Sequence, residues 1–159
     1  MVHAEDDVEA RRRALVAVAD RRIQLPANLC LLLGCLGGAL DIGMAISASL
    51  AGNTVLFIVW IFGFVPAALL AAGGLQLRRL DGWNPVWAGL LLTVFHAVFT
   101  AGAVAFFGWP MWWLSLAASA PAPVLILWMA RLEEDQEIRM ARNLRYPPKP
   151  RDPVDYQVL

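Results

Sequence analysis

The chain has 159 residues, 59% hydrophobic and only 16% charged, and its thirteen basic and thirteen acidic residues cancel to zero net charge. A composition this apolar excludes an ordinary soluble domain of the same length. The missing basic excess excludes nucleic-acid binding.

A helix crosses a bilayer core with about 20 apolar residues, and four such runs cover residues 25–51, 54–77, 85–107 and 109–130. The expected fold is therefore an all-α integral membrane protein, a four-transmembrane-helix antiparallel bundle held in the lipid bilayer. Residues 1–24 precede it as a charged, partly amphipathic helix, with Asp7/Arg11 and Glu9/Arg13 spaced i, i+4. All the basic residues lie before Leu25, at Arg78 and Arg79, or from Arg131 onward. The positive-inside rule then puts both termini and the 78–84 loop in the cytoplasm, and an even number of spans agrees. Twelve of the thirteen basic residues are arginine, the usage of a GC-rich bacterial genome, which points to the inner membrane.

Helix 1 is expected to start with Pro26 in its first turn, where a missing N–H is harmless, and to act as an uncleaved signal anchor. It carries one acid, Asp41. Gly34, Gly37, Gly38, Ala45 and Ala48 share the face of that acid, and Gly34 to Gly38 is a small-xxx-small spacing for close helix packing. A face this small meets protein, so the acid points inward. Helix 2 carries Pro66 near its middle and reads as ending at Gly73-Gly74 and the arginine pair. The proline frees the carbonyl of Phe62.

Trp83 and Trp87 fall at the inner interface, and Trp109, Trp112 and Trp113 form an outer aromatic belt. Helix 3 has His96 at its centre, with Thr93 and Thr100 on the same face. Helix 4 is broken at Pro121 and Pro123, which free the carbonyls of Ala117 and Ser119. Residues 131–146 continue as a helical extension with Arg131/Asp135 and Asp135/Arg139 pairs, and the Pro-rich stretch 147–159 reads as a disordered tail.

In an antiparallel bundle Asp41, Pro66, His96 and Pro121 share one depth, the bilayer midplane. Asp41 to His96 and Pro66 to Pro121 are each 55 positions apart, the spacing of a possible hairpin repeat. A charged aspartate at that depth costs about 2.5–3.5 kcal/mol on insertion scales. It escapes by taking a proton or by pairing with His96, provided helices 1 and 3 are neighbours. Asp41 and His96, with Thr93 and Thr100, are thus the candidate intramembrane proton site. The plainer reading is a polar clasp between helices.

No catalytic residue emerges, because no nucleophile–base spacing or Gly-rich phosphate loop is present. Cys30 and Cys35 lie far from both histidines and make no metal site, and no cofactor is implied. The leading functional expectation is an accessory or assembly subunit of a larger membrane complex. The alternative is a small proton-linked transporter or oligomeric pore, including a phage-type pore or immunity protein. Four helices enclose little volume, so a homo-oligomer or a larger membrane-protein partner is expected in either case.

Overall fold

A computed structural model describes residues 2–81, 83–108 and 113–146. The expected disordered tail lies outside the described residues, as do Trp109, Trp112 and Gly82. The described residues form six helices: α1 (Val2–Leu50), α2 (Thr54–Leu77), α3 (Trp83–Phe106), α4 (Trp113–Ser119), α5 (Pro121–Glu134) and α6 (Gln136–Arg145). Four stretches are long and apolar enough to cross a membrane: Val8–Leu50, Thr54–Leu77, Trp83–Phe106 and Trp113–Glu134.

No helix starts at Pro26. One 49-residue helix runs through it, about 74 Å long at 1.5 Å per residue. Ala19, Ile23, Ala27 and Cys30 are all buried, at i, i+4, i+8 and i+11. That stripe continues across the proline into one core with Leu77, Trp83 and Met129. Burial of the stripe on both sides of Pro26 outweighs the single backbone bond the ring removes.

Short turns join the first three spans. Gly52 adopts the left-handed conformation (φ 68°), and Asn53 N–H donates to Ala48 O at 2.9 Å, a glycine-terminated helix end. Asn53 then caps α2, its Oδ1 accepting from Leu56 N at 3.0 Å. At the other end of α2 the left-handed residue is Leu80 (φ 62°). This costs a leucine about 1–2 kcal/mol. Its side chain is fully buried, which offsets the strain at roughly 1.5–3 kcal/mol.

α2 ends at Leu77, directly before the arginine pair, and Gly73-Gly74 in its closing turns are its contact points. A Cβ on Gly74 would lie 2.8 Å from Ala27 O, and one on Gly73 would lie 2.9 Å from Val86 N. Gly34 on α1 is equally tight, with a Cβ there 2.6 Å from Ala67 O and Ala71 N. On α3, a Cβ on Gly89 would meet Leu70 N at 3.0 Å. The middle span α2 is thus pressed between α1 and α3 by missing side chains on both sides.

The fourth span breaks between α4 and α5 at Ala120. Pro121 opens α5 at its first turn, and Ala120 N–H reaches Ala117 O at 3.3 Å, so one freed carbonyl regains a donor. Pro66, in contrast, leaves α2 continuous, and the two halves of the proposed repeat differ here.

The helix also breaks at Asp135, which takes an extended conformation and caps α6 by accepting from Glu137 N at 2.9 Å. Its carboxylate meets Arg22 at 2.9 Å instead of Arg131 or Arg139. Arg22 also reaches Glu137 at 3.0 Å, and Arg145 pairs with Asp20 at 3.1 Å. With Ile138 and Ala141 buried, α6 lies against the charged half of α1.

Candidate functional site

Asp41 on α1 and His96 on α3 face each other, with Asp41 Oδ1 3.6 Å from His96 Nε2. Their helices are not packed neighbours. α2 packs extensively on both and stands between them. The two side chains meet because α2 has no side chain where they cross. A Cβ on Gly63 would lie closer than 3.0 Å to Asp41 Oδ2, Asp41 Cγ and His96 Nε2 together. Gly63 is therefore the third member of the site, a gap in the intervening helix. Sequence reasoning missed it, since a glycine in an unbroken apolar run carries no polar signal. The one available clue was its depth, three residues before Pro66.

Both side chains are well enclosed, His96 at 15% and Asp41 at 11% exposure. The 3.6 Å separation exceeds a direct hydrogen bond. Thr100, fully buried one turn along α3, places its hydroxyl 3.2 Å from Nε2 and 3.5 Å from Nδ1. Trp60 sets its ring edge-on to the imidazole, with centroids 6.4 Å apart at 73°. Thr93 is nearby but spends its hydroxyl on its own helix, donating to Gly89 O at 2.7 Å.

The pair borders a cavity of about 40 Å³ touched by all four spans, with Ser115 and Ser119 contributed by α4. A water molecule or two fits that volume, and water is the usual bridge across a gap of this length. Of the other sequence-derived residues, Pro66 and Gly37 line the cavity. Gly38 makes an ordinary contact, a Cβ there falling 3.4 Å from Ala67 Cβ, and Gly37 has nothing within 4 Å. Pro121 lies apart, in a groove of about 500 Å³ between α1 and the fourth span. Pro123 is exposed on α5.

Chemically, an acid and an imidazole that share one proton balance each other's charge. Neutral acid with neutral imidazole, and carboxylate with imidazolium, are both net neutral, so neither form places an uncompensated charge at this depth. Gain or loss of a proton leaves a net charge in an apolar enclosure, and that charge calls for a partner. Lining the cavity, no titratable group other than these two is present.

Access is sideways. Toward Gly52 the site is closed by Ala45, Ala48, Leu56 and Val104. Toward Arg78 it is closed by the larger core around Leu70, Leu90 and Leu125. His96 and Pro66 also line an apolar groove of about 590 Å³ between α2 and α3, flanked by exposed Phe62, Phe95 and Phe99. Among the described residues no three His, Cys, Asp or Glu side chains converge as metal ligands. No protein-family model, curated protein or solved structure matches the chain.

Proposed function

We propose that the chain is a multi-pass bacterial inner-membrane protein, antiparallel in its four spans, with both termini and the Arg78–Asn84 loop cytoplasmic. In this reading it works as a small proton-linked transporter, with Asp41 and His96 exchanging one proton as a ligand arrives. The observation that carries the reading is the gap at Gly63. A helix interposed between an acid and an imidazole, and lacking a side chain where they meet, suits a pair meant to interact. Intramembrane ionisable pairs are typical of proton relays. The apolar closures at both ends favour a ligand that enters from the bilayer, through the groove holding His96. Such a ligand is a lipophilic weak base or acid that enters in its neutral form, because a charged one would meet the same desolvation cost as Asp41. It takes its compensating charge only on exchanging a proton with the pair. The same closures count against a water-filled pore through a single chain.

The test is proton release from purified protein on adding a panel of lipophilic phenols and amines, read with a pH dye. Wild type should release or take up a proton with at least one compound. Asp41→Asn, neutral and similar in shape, should stay folded and silent, and His96→Gln should weaken the response. Identical traces in all three proteins would leave the pair as a helix clasp and remove the transporter reading.

A second reading, an accessory subunit docking on a larger membrane complex or on its own copies, draws on a different feature. Gly37, with open space at its Cβ, lies in the groove between α1 and the fourth span beside exposed Leu32 and Leu36. A partner helix packs closely on such a small-residue position. Co-purification of larger subunits in mild detergent would favour this reading over transport.

A further inference from the structure

We infer that the ligand exchanging a proton with the pair is a primary amine on an apolar tail, its ammonium held in the small cavity at Asp41. The inference rests on the proton-linked reading above and names its substrate class. Cavity and groove adjoin, because His96 and Pro66 line both the cavity of about 40 Å³ at Asp41 and the groove of about 590 Å³ between α2 and α3. A molecule with a small polar head and an apolar tail fills the two together.

The lining where they meet is rich in acceptors. The Asp41 carboxylate stands 3.6 Å from His96 Nε2, beyond a direct hydrogen bond. Thr93 and Ser119 already donate their hydroxyl protons, to Gly89 O at 2.7 Å and Leu116 O at 3.1 Å, so each has an acceptor left to offer the cavity. Pro66 has no N–H for the carbonyl of Phe62 one turn earlier, and both residues line the groove. Inside a membrane that carbonyl needs a donor. Phe62, Phe95 and Phe99 add ring faces along the groove, which attract cations. Against these stand two donors, the Trp60 indole and the His96 ring while it holds a proton. The matching head is positively charged and donates through several N–H bonds. Volume sets its substitution: space for a water molecule or two admits a primary ammonium and leaves no room for N-methyl groups.

The proton balance follows. In water the amine is an ammonium ion, and it sheds that proton to enter the groove as the neutral base. In the cavity the imidazolium N–H of His96 breaks and an N–H of the amine forms. Neutral imidazole, the Asp41 carboxylate and bound ammonium remain, with zero total charge before and after. The transfer runs downhill, because an alkylamine holds a proton about four pH units more tightly than imidazole in water. Each bound amine leaves one proton in solution. A carboxylic acid would do the reverse, taking up one proton on binding and leaving an anion among acceptors.

The test is calorimetric titration of the full-length chain in detergent, in buffers of different ionisation enthalpy, which reads affinity and protons exchanged together. The probes are phenylbutylamine, its N,N-dimethyl derivative and phenylbutyric acid. The primary amine should bind with release of one proton per chain, the dimethyl amine about tenfold or more weakly, and the acid not at all. Pro66→Ala returns an N–H to the Phe62 carbonyl and suits the helix better, yet should weaken the primary amine about three- to tenfold. Proton uptake with the acid and no response to the amine would overturn the choice of a base and leave proton exchange standing. Binding without any proton exchanged would remove the proton-linked reading, and this inference with it. Failure of the amine to bind, equal affinity for the two amines, or unchanged binding in Pro66→Ala would overturn the head site alone.

Discussion

Gly63→Ala adds one methyl group at the point where Asp41 and His96 meet. A Cβ there falls closer than 3.0 Å to atoms of both side chains, a separation at which something must shift. Forcing a methylene into packed surroundings costs about 1–3 kcal/mol. Alanine returns about 0.5–1 kcal/mol over glycine within a helix. The expected net loss is therefore modest, about 0–2.5 kcal/mol. The larger consequence is local, because the two side chains can no longer face each other across α2. Gly102→Ala is the matched control: it is also helical, on α3, with nothing within 4 Å of its Cβ. The assay is unfolding in detergent together with the imidazole 15N resonances of His96. Only two histidines are present, so His3→Gln leaves a single set. Gly63→Ala and Asp41→Asn should both move those resonances, and Gly102→Ala should not. If Gly63→Ala matched Gly102→Ala in stability and spectrum alike, the pairing across α2 would be wrong.

Two further outcomes separate the roles of neighbouring residues and sides. Gly34→Ala should destabilise the protein by about 1–3 kcal/mol, because its Cβ would meet backbone atoms of Ala67 and Ala71. Gly37→Ala, with open space around it inside α1, should gain about 0.5–1 kcal/mol; equal losses in the two variants would contradict the helix contact. For topology, single cysteines at positions 53 and 84, in a background lacking Cys30 and Cys35, should react oppositely with an impermeant maleimide on intact cells. Position 53 should label at once and position 84 only after permeabilisation. Labelling of position 84 from outside would invert the proposed orientation.

The four membrane-length helices were legible because a 20-residue apolar run is a strong signal that needs no tertiary context. Asp41 and His96 stood out for the complementary reason, as lone polar groups inside such runs. What joins them did not. Glycine reads alike whether it ends a helix, admits a neighbouring backbone or leaves a gap, and only tertiary packing distinguishes Gly74, Gly34 and Gly63. Pro26 misled for a related reason. Its lost bond is local and visible, while the buried stripe that carries α1 past it includes Ala19 and Ile23, inside the charged segment. The break at Asp135 was hidden because i, i+4 charge spacing implies a continuing helix, whereas the carboxylate is taken by Arg22, 113 residues away.

A gap in α2 also imposes an order on biogenesis. The ribosome delivers Asp41 first, then the helix that will stand in the way, and His96 only 55 residues after the acid. At about 5–20 residues per second, Asp41 waits roughly 3–11 s for its partner. Through that interval α1 and α2 can already close on Gly34 and Gly74, but the acid faces the opening at Gly63 with nothing beyond it. Until α3 emerges it lacks the partner it meets in the folded bundle. Arrival of the third span, rather than insertion of the first hairpin, is then the step that commits the nascent chain to its final form.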